Sequence, residues 1–386
     1  MKTNLLIIVS IIGVFFSAQS FADLKISGYG SIIAGKTLGT VDDPLNPGQK
    51  RDEILTADFY DVGQYTNDLT FNAESIFAVQ AVADLGPKLT ATVQLVAKGV
   101  DNFNPEFDWY YLTYQATSDI TIMAGRRNIP MYYFSEFVEV GYAYPWMRPP
   151  SNLYWWQVTQ FNGVHAMYDF DWGESSNTIT VFYGNEYSDD NKEMGYYEVL
   201  FGGEESTTVD EYWTNITGVN WVVSGDWFED ITYDLRFVYF QHDLERTRNI
   251  VDGDNTLLLT SQTFLGFGGS VDISTFTFLF DWNFVTRDDG LGTEYPTYLL
   301  SLVYNHNDFH PYITYSKADH ERTKSIPPTE DLEEHYISSI GLRYDFLPKV
   351  AFKIQYDRFV DQGDVATVWN YHGDSDTITL GVDFIF

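Results

Sequence analysis

Segment 128–159 gathers the residues with the clearest capacity for chemistry in this sequence. It reads NIPMYYFSEFVEVGYAYPWMRPPSNLYWWQVT and carries the acids Glu136 and Glu139 and the base Arg148. Charges act strongly on a nearby ion inside a narrow, low-dielectric wall, whereas bulk water screens them. The chemistry that these residues could perform is therefore electrostatic, and it would act on an ion or polar solute rather than on a covalent bond.

Patterns typical of enzymes and of bound cofactors are missing from the sequence. It contains no HExxH, no GxSxG, no phosphate-binding glycine loop and no cysteine. We therefore expect no enzymatic activity, no catalytic residue, no cofactor and no metal site. The acidic stretches 252–255 (DGDN) and 330–334 (EDLEE) lack the full spacing of a calcium loop, so they predict at most loosely bound Ca²⁺ or Mg²⁺ at acidic outer loops.

The chain begins with the pattern of a cleavable secretory signal. Lys2 precedes an apolar run over residues 5–16, and the small residues Ser20 and Ala22 stand where cleavage would occur. We expect a signal peptide at 1–22 and one exported domain at 23–386. The net charge of −33 argues against nucleic acid as a partner, because binding a phosphate backbone requires an excess of Lys and Arg.

Alternation of apolar and polar residues dominates the exported part of the chain. The final stretch, TLGVDFIF, places one apolar set on one strand face, and STFTFLFDWNF at 274–284 repeats the pattern. The apolar set of the final stretch is Leu380, Val382, Phe384 and Phe386. Such strands suit either a sandwich with a buried apolar side or a membrane barrel with its apolar side toward lipid.

Strand length and connection length favour the barrel. Candidate strands are mostly ten or more residues long, which fits a tilted bilayer crossing better than a sandwich, and their connections alternate between short and long. The candidates are 23–35, 75–84, 89–99, 106–116, 119–127, 160–170, 177–187, 212–223, 230–242, 259–272, 274–286, 296–306, 309–318, 335–346, 349–359 and 376–386. We predict an all-β, transmembrane antiparallel β-barrel of 16 strands, with short periplasmic turns and long extracellular loops. Pro311 and the glycine-rich stretch 259–272 leave counts of 14 or 18 open.

Taken together, these features resemble the general porins of the Gram-negative outer membrane. The likeness covers the whole chain and includes the signal, the first strand with Gly28, Tyr29 and Gly30, and the terminal aromatic residue. The opening ISGYGSIIAGKTL is similar to porin-like proteins of marine-type gammaproteobacteria. The resemblance implies an outer-membrane location, a homotrimer, contacts with lipid and lipopolysaccharide, and a loop 128–159 that folds into the pore. It also implies that Leu380, Val382, Phe384 and Phe386 form the signal read by the barrel assembly machinery.

The same resemblance implies a passive channel for ions and small hydrophilic solutes, for which the acidic composition predicts a mild cation preference. In this interpretation Glu136, Glu139 and Arg148 form the constriction and face charged wall residues, so that a transverse field crosses the pore. The alternative is that the wall charges only pair with neighbouring acids. Strand parity selects the wall residues Lys25, Tyr29, Lys98, Arg127, Asp234, Arg236, Asp281, Arg343, Lys353 and Asp357.

The aromatic residues of segment 132–156 allow a second function. Ring faces stack on sugars, so Tyr154, Trp155 and Trp156 could line a channel selective for oligosaccharides. The simpler interpretation is that these rings pack the loop against the wall or belong to the interfacial aromatic belts.

Overall fold

A computed structural model describes most of the exported part of the chain. It covers residues 23–43, 48–58, 63–154, 156, 158–191, 207–228, 230–250, 256–324, 329–363 and 373–386. The predicted signal 1–22, the acidic stretch 252–255 and Trp155 lie outside the described residues. Among the described residues, no helix is long and apolar enough to cross a membrane.

Sixteen strands of the described chain form one closed antiparallel barrel, as the sequence predicts. Two further pairs, β2 with β3 and β4 with β5, are small hairpins between β1 and β6. The first ten strands are β1 (Leu24–Thr37), β2 (Thr40–Asp42), β3 (Lys50–Asp52), β4 (Leu55–Asp58), β5 (Gly63–Tyr65), β6 (Ile76–Gly86), β7 (Leu89–Lys98), β8 (Pro105–Gln115), β9 (Ile120–Asn128) and β10 (Gln160–Trp172). The others are β11 (Ser175–Asn191), β12 (Thr207–Phe228), β13 (Ile231–Ile250), β14 (Thr256–Ile273), β15 (Phe276–Arg287), β16 (Thr293–Tyr304), β17 (Phe309–Arg322), β18 (Thr329–Leu347), β19 (Val350–Asp361) and β20 (Ser375–Ile385).

The last strand closes the barrel against the first. Backbone bonds join Gly28 and Phe386 in both directions, at 3.1 and 3.0 Å. A Cβ atom at Gly28 would lie 2.3 Å from the Phe386 ring, and one at Gly30 would lie 2.6 Å from the Phe384 ring. The two glycines therefore leave room on the outer face of β1 for the terminal aromatic rings.

The strand lengths differ from the prediction at one end of the barrel. Strands β11 to β14 and β18 contain 17, 22, 20, 18 and 19 residues and extend beyond their predicted limits on the side of the long connections. The extensions of β11, β12, β13 and β18 are mostly polar, as in ERTRNI at the end of β13, whereas β14 begins with TLL at 256–258. The alternation that marks lipid contact is therefore weaker at this end. Pro311 lies within β17 opposite Leu342, and the closed sheet accommodates it.

The inner face of the barrel is apolar over much of its circumference, a feature that the strand pattern does not predict. The largest buried cluster combines residues of segment 129–158 with inward residues of β10 to β17. Those wall residues are Phe161, Phe182, Trp213, Ile216, Val238, Phe240, Leu244, Phe264, Leu279, Val285, Tyr295, Leu299, Val303 and Tyr312. The loop after β9 therefore rests on an apolar bed inside the barrel.

Candidate functional site

The loop between β9 and β10 lies inside the barrel and contacts its wall in several places. It contains two short 3-10 helices, Ser135–Phe137 and Gly141–Ala143. Trp146 is almost fully buried, and its Nε1 donates to the Thr314 hydroxyl at 2.7 Å and to the Ser301 hydroxyl at 3.1 Å. These bonds attach the middle of the loop to β16 and β17.

Two of the three aromatic residues predicted to stack on sugars are buried. Tyr154 and Trp156 are only 4% and 3% exposed. The Tyr154 ring packs on Tyr132 with centroids 4.4 Å apart, and Trp156 meets Trp213 and Tyr295 edge-on. A stacking role for Tyr154 and Trp156 is therefore wrong for this structure, because neither ring presents a free face. The interpretation that loop aromatics pack against the wall fits both residues.

Asp281 on β15 anchors the early part of the loop. Its Oδ2 accepts the backbone N–H of Tyr133 at 2.9 Å and the Tyr154 hydroxyl at 3.2 Å, and its Oδ1 accepts from Asn283 at 3.1 Å. Arg236 on β13 donates to the backbone carbonyl of Tyr132. One inward acid and one inward base thus bind the loop backbone where it crosses the apolar bed.

Two further bases of the wall bind carbonyl groups of the loop. The Lys353 ammonium donates to the carbonyls of Gly141 and Trp146 at 2.5 and 2.6 Å and pairs with Asp383 at 2.9 Å. Arg343 donates to the carbonyls of Tyr142 and Tyr144 at 2.7 and 3.1 Å. Lysine and arginine carry only donors, so backbone carbonyls and a carboxylate satisfy them inside the barrel.

Gly141 permits the close approach of the loop to this corner. A Cβ atom at position 141 would lie 2.4 Å from the Asp383 carboxylate and 2.9 Å from the Ser31 hydroxyl. Ser31 itself donates to Asp383 at 2.6 Å. The loop therefore reaches β20 and β1 only because this position has no side chain.

The two acids of the loop form pairs with bases of the barrel wall, on β7 and β9. Glu139 lies 2.7 Å from the Lys98 ammonium and accepts the Tyr29 hydroxyl at 3.0 Å. Glu136 lies 3.7 Å from Arg127, and the Glu136 side chain remains 55% exposed. Glu136 is thus the loop carboxylate that faces open solvent within the barrel.

Arg127 occupies an aromatic corner beside Glu136. Its guanidinium carbon lies 4.9 Å from the Tyr111 ring centroid and 5.8 Å from that of Trp109. Its Nε has no hydrogen-bond partner among the described residues. A cation over aromatic faces is attracted by the ring quadrupole, so the two rings hold Arg127 in addition to its ion pair with Glu136.

The loop acids and wall bases that are predicted to produce a field across the pore contact each other directly. Glu136 and Glu139 each touch a wall base, and Arg236, Arg343 and Lys353 bind the loop itself. Opposite charges therefore meet in pairs instead of facing each other across open water. This follows from the cost of leaving a buried charge unpaired, and it matches the alternative interpretation of the wall charges.

The sequence predicts Arg148 as a residue of the open constriction, but the structure buries it. It is 8% exposed and lies between Glu74 and Asp357, with an N–O distance of 2.9 Å to each. Burial raises the pKa of the Glu74 carboxyl above its ordinary value of 4.5, while the Arg148 guanidinium opposes that rise. Arg148 therefore works as a buried bridge between two parts of the chain.

The remaining predicted wall residues lie at the margins of this arrangement. Lys25 is exposed near the start of β1, and Asp234 is half-buried on β13.

On β20, Leu380 and Phe386 are 44% and 56% exposed while Thr379 and Asp383 are buried, so the two sets occupy opposite faces. Sequence reasoning missed Glu74 as a partner of the loop.

Metal binding gains no support from the described part of the chain. No group of three or more His, Asp or Glu side chains there could hold a metal ion. The side chains of Glu330 to Glu333 are not among those described, and Glu334 pairs with Lys317 at 2.5 Å. Loose binding of Ca²⁺ or Mg²⁺ at the acidic loops stays a prediction.

Comparison with known proteins identifies the fold. The outer membrane channel DcaP of Acinetobacter baumannii has a TM-score of 0.58 at 10% identity, covering 96% of this chain and 99% of that chain. An anion-selective porin from Comamonas acidovorans has a TM-score of 0.52 at 12% identity, covering 95% and 100%. The trimer form of in-vitro folded OmpT, an outer membrane protein of Vibrio cholerae, has a TM-score of 0.51 at 11% identity, with the same coverage.

At such low identity these likenesses establish the fold alone. No protein-family profile matches the chain, and no curated protein sequence matches it. The chain thus has the 16-stranded barrel fold of Gram-negative outer-membrane porins. The closer affinity to proteins of marine-type gammaproteobacteria stays a prediction.

Proposed function

We propose that this protein is an outer-membrane porin, a passive diffusion channel for ions and small hydrophilic solutes, and not an enzyme. The observation that carries the proposal is a closed 16-stranded barrel with a loop anchored inside it. Barrels of 16 to 18 strands enclose enough space for an aqueous channel. A loop fixed within such a barrel narrows the channel.

The charges inside the barrel support a mild cation preference. Lys353 and Arg148 are 0% and 8% exposed and are neutralised by Asp383, Glu74 and Asp357. Glu136, by contrast, exposes 55% of its side chain. The most exposed of these charges is therefore negative, in keeping with the overall charge of −33.

Conductance in planar lipid bilayers tests the proposal directly. We expect the purified protein to insert and give stable ion conductance, and we expect a heat-denatured sample to give none. Absence of stable conductance from a sample that shows the heat-modifiable gel migration of a folded barrel would contradict the channel proposal.

The same recordings decide between a general and an oligosaccharide-selective channel. Because Tyr154 and Trp156 are buried, we expect maltodextrins and related sugars to leave the ion current unblocked. Block by one sugar at low concentration would instead support a selective channel. Trp155→Ala would then show whether that residue contributes.

We further propose a homotrimer in the outer membrane, delivered by the signal 1–22 and by the assembly machinery through the terminal strand. Support comes from the resemblance in sequence and from the trimer form of the similar Vibrio cholerae protein. Cross-linking in mild detergent should give trimers, and a purely monomeric pattern would contradict this part.

A further inference from the structure

Residues 63–75, which precede β6, also fold into the barrel. Tyr65 is fully buried and clusters with Leu55 and Ala73 against Ile337 and Phe359, which occupy inward positions on β18 and β19. A second extracellular connection thus covers the inner wall where the loop after β9 does not.

Backbone hydrogen bonds fix this segment to the C-terminal end of β1. Thr70 exchanges two bonds with Gly35, at 3.0 and 3.1 Å, and the Thr37 N–H donates to the Thr66 carbonyl at 2.7 Å. A Cβ atom at Gly35 would lie 2.6 Å from the Tyr65 ring, so the ring lies directly against the inner surface of β1. The segment is therefore part of the inner wall and is not a free surface loop.

Arg148 joins this segment to the loop after β9. Its NH1 donates to Glu74 Oε2 and its NH2 to Asp357 Oδ2, both at 2.9 Å. The Tyr65 hydroxyl donates to the same Glu74 oxygen at 2.6 Å, and the Arg148 guanidinium carbon lies 5.7 Å from the Tyr65 ring centroid. Three parts of the chain that are distant in sequence thus meet at one buried guanidinium.

A cavity of about 80 Å³ with a mixed polar and apolar lining lies between the two segments. Glu74, Ser75, Lys98, Glu139, Arg148 and Ser151 contribute to its lining. The second Glu74 oxygen, Oε1, is buried and has no hydrogen-bond partner among the described residues. A space of this size has room for a few water molecules beside the Glu74–Arg148 ion pair.

We propose that residues 63–75 form a second pore-restricting segment, which Arg148 clamps to the loop after β9 so that the two move as one unit. Glu74 is a positioning residue in this account. Losing its charge would free the segment and widen the entrance. The inference rests on the proposed channel function, and it assigns part of the restriction to a segment outside the loop that the sequence singled out.

Cysteine accessibility tests the clamp independently of transport. The chain has no cysteine, so Ala73→Cys, at a position 6% exposed, introduces a single reporter thiol. We expect slow reaction with a charged methanethiosulfonate reagent in this background and roughly tenfold faster reaction after Glu74→Gln is added. That change corresponds to about 1.4 kcal/mol in the opening equilibrium.

Matched variants separate the clamp from a general loss of structure. Asp42→Asn breaks the ion pair with Lys50 in the same connection. The side chains of Asp42 and Lys50 are 88% and 65% exposed, so we expect no change in labelling. Tyr65→Phe removes only the hydroxyl on Glu74 and should accelerate labelling less than Glu74→Gln. Equal labelling of the Glu74→Gln and unsubstituted backgrounds would overturn the clamp.

Single-channel conductance tests the role of the segment in the pore. We expect Glu74→Gln to raise conductance and open-channel noise, and Asp42→Asn to change neither. Faster labelling with unchanged conductance would overturn the pore-restricting role. If the unsubstituted protein conducts nothing, the channel proposal fails, while the labelling experiment still decides whether the clamp exists.

Discussion

The loop after β9 is held in two different ways on the two halves of the barrel wall. Over β10 to β17 it lies on apolar side chains such as Phe182, Phe240 and Phe264. Toward β18 to β20 and β1 it is held by Lys353, Arg343 and other charged groups that bind its carbonyls. Apolar burial is strong but has no preferred direction, whereas hydrogen bonds to charged groups have defined geometry.

This difference separates two contributions to the shape of the pore. The apolar half keeps the loop against the wall, and the charged half fixes which carbonyls and carboxylates meet which partners. We expect changes in the charged half to alter both stability and ion selectivity. Changes in the apolar half should alter stability alone.

The largest effect is expected for Lys353→Met in the charged half. Removing a fully buried ammonium leaves Asp383 and two loop carbonyls without their partner, which costs about 4 kcal/mol of unfolding free energy. Urea-induced unfolding in lipid vesicles measures the change. Lys25→Met, at an exposed site, is the control, and adding Asp383→Leu should recover part of the loss. An unchanged unfolding midpoint for Lys353→Met would contradict the anchoring role.

Phe264→Ala tests the apolar half. Phe264 is 2% exposed and contacts Phe240 and Tyr132, so truncation should cost about 3 kcal/mol of unfolding free energy. The reversal potential in a salt gradient should stay the same, because no charge moves. A marked change of selectivity in this variant would break the comparison between the two halves.

Asp281→Asn tests the polar anchor within the apolar half. Its carboxylate accepts from Tyr133, Tyr154 and Asn283, and hydrogen bonds to a charged acceptor contribute about 2 kcal/mol. The same unfolding assay should show this smaller loss. Asp171→Asn, at an exposed position, should show almost none, and equal losses for the two variants would argue against a specific anchor.

The barrel could be predicted from the sequence because lipid contact imposes a simple alternation of apolar and polar residues. In β15, alternation of Phe276, Phe278 and Phe280 with smaller or polar residues marks both strand and outward face. The apolar half of the inner wall could not be predicted in the same way. In β13, Phe237 and Tyr239 face outward while Val238 and Phe240 face the loop. Residues 237–240 therefore show no alternation of apolar and polar side chains that would indicate their faces.

The partners of Arg148 show why the site was harder to predict than the fold. Glu74 is 74 positions away in sequence and Asp357 is 209 positions away, and only the closed barrel brings them together. Parity indicates which way a side chain points, but it does not indicate what a folded loop places in front of it. The prediction therefore located charges inside the barrel and included their pairing as an alternative, but it did not name the partner of each charge.

The account rests on most charges inside the barrel being paired, with Glu136 as the loop carboxylate that faces the solute. The reversal potential of Glu136→Lys in a KCl gradient tests this most directly, with Glu245→Lys as an equal charge change at an exposed position on β13. We expect the unsubstituted protein and Glu245→Lys to prefer cations and Glu136→Lys to shift clearly toward anions. Identical reversal potentials for all three proteins would contradict the account.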